Sequence, residues 1–484
     1  MKPELRKISE ISPDHSVVCI LGKNEIPERI NLSKTEKEYA LKQLFRGEVM
    51  VFINSYSKCT YLVKIRDGVT GSSLREEMRK SASNLKKLIR SNNHTELVIT
   101  SENAYSESVA DFTEGLILSC YSFRKYKTKS EEEDDRNNYP SVLLFADSIS
   151  KSELKWLDDI TDAVYLARDL INEPVNHMNS TALASEITKA GGKAGFSVEV
   201  LNRNKIEALK MGGLLAVNKG SVDPPVFCIL EWHPGKPVNK KPIILVGKGI
   251  VYDTGGLNIK TGDYMALMKG DMAGAAAVTG VFYTIAKNRI PVHLVGLIPI
   301  TDNRPGGNAY TQGDIITMYN KMTVEIGNTD AEGRLILADA ISYASKYKPE
   351  LIIDVATLTG SAASTFGNQA MAMMTNADRK YIDLLTECGN QVHERVAELP
   401  FYDEYNDAIK SAVADVRNVG GREAGAITAG KFLERFAEFP IIHLDIAGTG
   451  ILRKDDHYRL KDGPGSGVRL LSAFIRRVAD GIRK

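Results

Sequence analysis

Seven side chains stand out by chemical type: Lys248, Asp253, Lys260, Asp271, Asp330, Glu332 and Arg334 fall within residues 242–360, nearly all in Gly-rich turns. If Asp253, Asp271, Asp330 and Glu332 converged, about four negative charges would meet in one cleft, which is very unfavourable without compensation. Two divalent cations would balance them, and a carboxylate can bridge a metal pair. No His or Cys lies among the seven, and none of the 8 histidines falls in an HExxH array. Oxygen ligands suit Mg²⁺, Mn²⁺ and Zn²⁺ alike, so ligand type leaves the metal open.

Lys248 has two readings: a salt-bridge partner, or a neutral amine bound to a metal that has displaced its proton. Lys260 and Arg334 could contact polarised substrate oxygens or a bound anion. Arg334 follows Gly333 where a helix is expected to begin, and helix N-terminal N–H groups would help hold an anion there. A dinuclear site flanked by cations suits hydrolysis of an ester, amide or phosphate. The residues by themselves leave that reading beside a single Mg²⁺ site for phosphate chemistry, and beside turns held together by ion pairs.

The elements that must position these groups are apolar runs at 243–246, 293–299 and 351–355, which read as buried parallel strands. Polar groups should then gather at the strand ends, where open α/β sheets bind ligands. A chain of 484 residues exceeds one typical core and predicts two or three domains. Residues 1–150 read as a separate α/β unit, with strands at 16–21, 48–53, 97–100 and 141–146 and helices at 34–46 and 74–90. The run 130–138, SEEEDDRNN, reads as a solvated loop tip. Leu154, Leu157, Ile160, Val164, Ala167 and Ile171 recur at helical spacing, predicting a connecting helix over 151–172, capped by Ser150 or Ser152 and ended by Pro174.

Residues 173–484 then form the catalytic part. Helices are expected at 182–194, 206–210, 273–287, 380–396 and 427–436, and strands at 197–201, 225–231, 242–246 and 441–445. The helix at 273–287, rich in Ala and Gly, should pack closely on a neighbour. This alternation predicts an α/β protein of two domains. The first is an N-terminal α/β domain, and the second a C-terminal catalytic domain with a mixed, mostly parallel sheet sandwiched by helices.

Composition is that of an ordinary globular protein, 43% hydrophobic and 25% charged. A net charge of +1 argues against nucleic acid or an acidic membrane as main partner. The 5 cysteines are scattered and never form a CxxC pair, which suits reduced thiols in the cytoplasm. The opening MKPELRKISE lacks the apolar stretch of a secretory signal. No run of about 18 apolar residues predicts a membrane span.

Residues 328–334 read NTDAEGR, the hallmark of the leucyl aminopeptidase family, the M17 cytosolic aminopeptidases, and the motif does not stand alone. VGKGIVYDTGGLNIK at 246–260 and MKGDMAGAAAV at 268–278 resemble the family's metal-binding segments. PGGNAYTQGDIITMYN at 305–320, ATLTG at 356–360, the stretch 411–425 and HLDIAG at 443–448 also match family segments. The resemblance covers about residues 165–484 and is weak over the first 150.

It implies a fold, a ligand set and a reaction. Lys248, Asp253, Asp271 and Glu332 would hold a tighter metal. Asp253, Asp330 and Glu332 would hold a more exchangeable one, with Asp253 and Glu332 bridging. Zn or Mn would fill the sites, with Mg or Co as alternatives. Lys260 would polarise the scissile carbonyl and stabilise the gem-diolate, and Arg334 would hold a bicarbonate ion that shuttles a proton. The substrate's free α-amine would bind a metal, restricting cleavage to N-terminal residues. Met268, Thr357, Gly360 and Ala447 match positions that line the pocket for the N-terminal side chain, and Leu358 one whose backbone contacts substrate, so a Leu- or Met-like side chain should fit.

Blander readings stand beside these. Met268 could be plain core, Gly255 and Gly256 could serve only the turn, Thr357 could be a satisfied strand-end hydroxyl, and His443 reads as a core histidine. Tyr252 before Asp253 and Gly270 before Asp271 depart from the family pattern and bear on fine specificity. The resemblance further implies a cytoplasmic homohexamer with active sites facing an interior cavity, acting on peptides with a free N-terminus, with leucine preferred and no membrane partner. A Cys-Gly or other dipeptidase, a two-metal phosphohydrolase, and an added DNA-binding or scaffold role are the alternatives.

Overall fold

The computed structural model describes residues 2–128 and 139–483; the acidic run 130–138 lies outside the described residues. The chain divides into two compact units, Met1–Asp162 with Asp455–Leu460, and Ala163–Lys454 with Lys461–Lys484.

The first unit holds strands β1 (Leu5–Lys7), β2 (Ser16–Leu21), β3 (Met50–Asn54), β4 (Cys59–Lys64), β5 (Glu96–Ser101) and β6 (Ser141–Leu144). They form a sheet in the order β1-β6-β5-β2-β4-β3, parallel except at the β3–β4 edge. Alternation along β2 explains how both faces are covered. Val18 and Ile20 join one core with helices α2 (Gly71–Ser91) and α3 (Ser108–Ser119), while Val17, Cys19 and Leu21 join another with α1 (Lys34–Phe45). Helix α4 (Lys151–Asn172) follows. Ser150 caps it: its hydroxyl accepts the Glu153 N–H at 3.2 Å, and the Glu153 carboxylate accepts the Ser150 N–H at 2.8 Å. The division between the two units falls inside α4.

The second unit begins with α5 (Ser180–Ala194), β7 (Ser197–Leu201), α6 (Arg203–Ala208), α7 (Gly212–Asn218) and β8 (Val226–Trp232). It continues with β9 (Ile243–Gly247), β10 (Gly249–Asp253), α8 (Ala273–Lys287) and β11 (Leu294–Asn303). After β12 (Ile315–Thr317) and β13 (Thr323–Glu325) come α9 (Gly333–Ala344), β14 (Leu351–Ala356), α10 (Gly360–Phe366), β15 (Met371–Thr375), α11 (Arg379–Val392) and β16 (Val396–Glu398). The unit closes with β17 (Val416–Arg417), α12 (Gly425–Glu434), β18 (Ile441–Asp445) and α13 (Val468–Arg483). The main sheet runs β16-β15-β18-β14-β9-β11-β8-β7, with β10 paired to β11. Its centre is parallel, and the sheet turns antiparallel at β15–β18 and from β11 through β8 to β7. The fold is therefore mixed α/β with mostly parallel sheets covered by helices.

The Ala/Gly-rich α8 does pack closely on this sheet. A Cβ on Gly274 would stand 2.0 Å from the Val355 carbonyl oxygen, so only glycine lets the helix lie so close to β14. On the opposite face Leu335, Ala338 and Ile341 of α9 share a core with Ile244, Val246 and Ile352.

Some sequence expectations are corrected. The helix expected over 380–396 stops at Val392, because His393 takes the left-handed conformation (φ 54°) and closes it, and Val396–Glu398 pairs as β16. The helix expected at 206–210 is α6, shifted towards the N-terminus and followed by α7. All 5 cysteines are free and buried. Among the described residues no helix is long and apolar enough to cross a membrane.

Candidate metal centre and substrate cavity

The site forms where the central parallel strands end. β9 gives way to β10 at Lys248, whose N–H donates to Val355 O at 3.1 Å on β14. Its side chain is thereby delivered, buried, beneath the start of α9. Asp253 closes β10 opposite Asn303, the last residue of β11. The turn after it holds Gly255 at φ +87°, where a Cβ would also meet Asn258 O at 2.3 Å, so both backbone conformation and space require glycine. Asp271 ends a short 3₁₀ segment before α8. Asp330 and Glu332 occupy the turn that opens α9, and Arg334 lies in its first turn.

These side chains do meet. One carboxylate oxygen from each of Asp253, Asp330 and Glu332 lies within 4.8 Å of the others. The Lys248 Nζ stands 2.7 Å from Asp271 Oδ2 and 2.9 Å from Glu332 Oε1, and donates to Thr357 O at 2.9 Å. The Lys260 Nζ stands 2.8 Å from Asp253 Oδ2 and 2.6 Å from Asp330 Oδ1. Four carboxylates thus face two ammonium groups, and burial is the largest influence on how the acids titrate. Burial, reinforced by the Asp253 charge and opposed by Lys248, pushes the Glu332 carboxyl up to about 8. Burial likewise raises the Asp271 carboxyl to about 6 and raises that of Asp330. For Lys248 burial alone would lower the value, but Asp271, Glu332 and Asp253 outweigh it and hold the ammonium charged. The same balance, with Asp253 first among the carboxylates, holds for Lys260. Arg334 moves the other way: burial lowers it to about 10.

This donor set fits divalent cations. Among the described residues Glu332 Oε2 is buried with no hydrogen-bond partner, and Asp271 Oδ2 and Asp330 Oδ1 make ion pairs with Lys248 and Lys260 but accept no hydrogen bond. Buried carboxylate oxygens of this kind are costly unless a cation meets them. The carboxylate oxygens suit hard or borderline dications. Arg334 donates from Nη1 to Asn418 O at 2.7 Å, while among the described residues its buried Nε has no hydrogen-bond partner.

A cavity of about 1030 Å³ opens over the cluster. Twelve candidate site residues line it: Lys248, Asp253, Lys260, Asp271, Asp330, Glu332 and Arg334, together with Met268, Thr357, Leu358, Gly360 and Ala447. Met268 is half-buried in this wall. Thr357 is also a satisfied hydroxyl, donating to Asp271 Oδ1 at 2.7 Å. His443 stays in the core, 2% exposed, with Nδ1 2.6 Å from Asp354 Oδ1.

Several residues that hold the site went unremarked in the sequence. Asn303 donates to Asp253 Oδ1 at 2.9 Å and to Thr329 O at 3.0 Å, and the Tyr310 hydroxyl donates to the same carbonyl at 2.7 Å. Asn418, fully buried, accepts the Gly327 N–H at 2.7 Å and donates to Asn328 O at 2.7 Å, which clamps the loop carrying Asp330. Asp445 accepts the backbone N–H groups of Leu358 and Ala447 at 3.1 Å and the Thr359 hydroxyl at 2.6 Å, joining the two strand ends of the cavity wall. Asn418 and Asp445 lie in the stretches 411–425 and 443–448, so the same motifs could have pointed to them.

An acid cluster with flanking lysines, at the strand ends of a mixed α/β sheet, is a candidate metal centre, and comparison with known proteins narrows the class. The model of the cytosol aminopeptidase family, catalytic domain, matches residues 165–472. A probable cytosol aminopeptidase of Rhizobium rhizogenes is 42% identical over 380 residues, covering 77% of this chain and 76% of that one. One of Chloroherpeton thalassium is 38% identical over 496 aligned positions, covering 92% and 95%. Among solved structures, the bottromycin maturation enzyme BotP in complex with Mn is similar with a TM-score of 0.83 and 25% identity, covering 96% of this chain and 100% of that one. The chain belongs to the cytosol aminopeptidase (M17) family, and is a peptidase of that family.

Proposed function

We propose that the protein is a dinuclear, metal-dependent leucyl-type aminopeptidase that releases N-terminal residues from peptides, with leucine preferred. The observation that carries this reading is the convergence of Asp253, Asp330 and Glu332 within 4.8 Å, beside Asp271 and Lys248, on the wall of one cavity. Lys248, Asp253, Asp271 and Glu332 would hold one ion and Asp253, Asp330 and Glu332 the other. The ions, when bound, would supply Lewis acidity at the scissile carbonyl and a water of lowered pKa. Manganese is a natural candidate, since BotP carries it; zinc suits the donors equally.

The chain's own groups do the rest. Lys248 must surrender its proton to act as a ligand, which only competing dications among its carboxylates would bring about. Lys260 carries a positive charge into the cavity where negative charge would develop on the carbonyl oxygen. Arg334 has a buried Nε free to hold a small anion, which in this reading is a bicarbonate that shuttles protons. Met268, Thr357, Gly360 and Ala447 would line the pocket for the N-terminal side chain, and the Leu358 backbone would contact the peptide.

In this reading residues 1–150 form an N-terminal α/β domain, 151–172 a connector and 173–484 the catalytic domain. The assembly is a cytoplasmic homohexamer, the compartment being that named for the relatives. The test is hydrolysis of a leucine anilide by purified protein with Mn²⁺ or Zn²⁺, beside anilides of other residues and Cys-Gly. Leucine release with a Leu- or Met-like preference supports the reading; no release with any metal removes it.

A further inference from the structure

Three of the residues assigned to the pocket for the N-terminal side chain, Thr357, Gly360 and Ala447, are small, and all three line the cavity. A Cβ placed on Gly360 would meet nothing within 4 Å. Selectivity from such residues depends on where the backbone stands rather than on side-chain bulk. Two backbone segments are concerned: the end of β14 with the start of α10, and the end of β18. The Ile446 N–H, donating to Ala356 O at 2.8 Å, still joins them in strand fashion. Beyond that pair Asp445 holds them. Its Oδ1 accepts both the Leu358 and the Ala447 N–H at 3.1 Å. Its Oδ2 accepts the Thr359 hydroxyl at 2.6 Å, and that hydroxyl oxygen in turn accepts the Ala362 N–H at 3.0 Å, which caps α10 just before Gly360. At the far end of α10 a Cβ on Gly448 would stand 2.0 Å from Gly367 O, so the residue after Ala447 also abuts that helix. Asp445 is 1% exposed.

We propose that Asp445 is a specificity-determining positioning residue: by tying the Leu358 and Ala447 backbones to one carboxylate, it sets the width of the pocket for the N-terminal side chain. The proposal rests on the aminopeptidase reading and on its assignment of Thr357, Gly360 and Ala447 to that pocket. Asp445 is not itself among the residues on the cavity wall, so it acts through the backbones it holds. A buried carboxylate is costly unless donors meet it. Three meet this one, and hydrogen bonds to an ionised acceptor are roughly twice as strong as neutral ones, which makes the spacing stiff. A gap of about 0.5–1 Å forfeits a quarter to a half of the dispersion attraction across a wall. A leucine side chain loses much by that, and the single methyl of alanine little. Since a hydrophobic pocket discriminates by about 10–200-fold per methylene, releasing the wall should lower the leucine-over-alanine ratio about tenfold.

The test measures kcat/KM of the metal-loaded enzyme on leucine and alanine anilides, in the wild type, Asp445→Ala and Asp445→Asn. The leucine-over-alanine ratio should fall about tenfold in Asp445→Ala. It should stay near the wild-type value in Asp445→Asn, whose amide oxygen can still accept both N–H groups and whose amide N–H can meet the Thr359 oxygen. Should Asp445→Ala not fold, Thr359→Val, which releases only Oδ2, decides by the same ratio, with Thr359→Ser keeping it. A purely structural role would lower both substrates together and leave the ratio unchanged; that result in Asp445→Ala, or in Thr359→Val where it stands in, overturns the proposal alone. So does an equal fall of the ratio in Asp445→Asn and Asp445→Ala, because the bridge would then not be what matters. A wild type that hydrolyses neither anilide, or both equally, overturns the leucyl aminopeptidase reading and the proposal with it.

Discussion

Thr329 and Asn258 hold the loops that carry Asp253 and Asp330 together by a reciprocal pair of hydrogen bonds. The Thr329 N–H donates to Asn258 Oδ1 at 2.8 Å, and the Asn258 N–H donates to Thr329 Oγ1 at 2.8 Å. The same hydroxyl donates to Gly255 O at 2.7 Å. Asp253 lies just before one loop's turn and Asp330 just after Thr329 on the other, so this joint sets the distance between two carboxylates. Replacing Thr329 by Val strands the buried Gly255 C=O, at a cost of about 1–3 kcal/mol, and the half-buried Asn258 N–H. Thr329→Val should lower activity at least tenfold and weaken metal retention in equilibrium dialysis, while Thr329→Ser should restore most of both. Equal loss in the two variants would count against the joint.

Glu332 has a carboxylate oxygen buried without a hydrogen-bond partner among the described residues, and Asp330 is paired with Lys260. Glu332→Ala and Asp330→Ala should each lower leucine-anilide hydrolysis by several orders of magnitude. Dialysed protein should retain about two ions per chain in the wild type and fewer in both variants, measured by elemental analysis. Chelation of the wild type should also lower Tm, because a ligand that binds only the folded state stabilises it. Unchanged metal content in both variants would contradict the ligand assignment.

Gly333 lies directly over the Lys248 side chain. A Cβ there would stand 2.5 Å from Lys248 Cε and 2.8 Å from its Nζ. Gly333→Ala is otherwise favourable at a helix start, by up to about 1 kcal/mol. The obstacle is the tip of a side chain, so Lys248 should shift rather than the fold break. The expected signature is activity reduced at least tenfold with Tm changed by only a few degrees. Near-normal activity would show that the Lys248 position tolerates displacement.

Asp339 offers a pH signature outside the carboxylate cluster. It is buried, and its two oxygens accept the N–H groups of Leu214 and Tyr319 at 2.9 Å each. Burial pushes its carboxyl up to about 7, against the opposing backbone donors. The unfolded value is near 3.9, so proton uptake stabilises the folded chain fully below about pH 4, and that contribution is lost as pH rises through about 7. Wild-type stability should therefore fall between pH 6 and pH 8 more steeply than that of Asp339→Asn, in urea titrations at each pH. Parallel curves for the two proteins would show that Asp339 does not titrate in this window.

Much of this molecule was legible along the chain. The helix over 151–172 and the Ala/Gly-rich helix over 273–287 appear at those bounds, because caps and a continuous periodic face are local signals. The acids and lysines of the centre were legible because Gly-rich turns crowded with charge make poor structural elements and good ligand loops. The short β10, the small β12-β13-β17 sheet and the stop at His393 were not, since their form depends on pairing with distant strands or on a single left-handed residue.

What residue types determined by themselves is the chemistry on offer: four carboxylates, two lysines and an arginine within one stretch, and the family those motifs mark. Only the tertiary structure decided how they meet. Asn418 reaches back 90 residues to Asn328, Asp445 joins strand ends 87 residues apart through Leu358, and Lys248 slides beneath Gly333. A hydrogen bond between buried loops leaves no periodic trace in either loop, because its energy depends on where the sheet and helices bring two backbones together, not on what lies beside each residue in the chain.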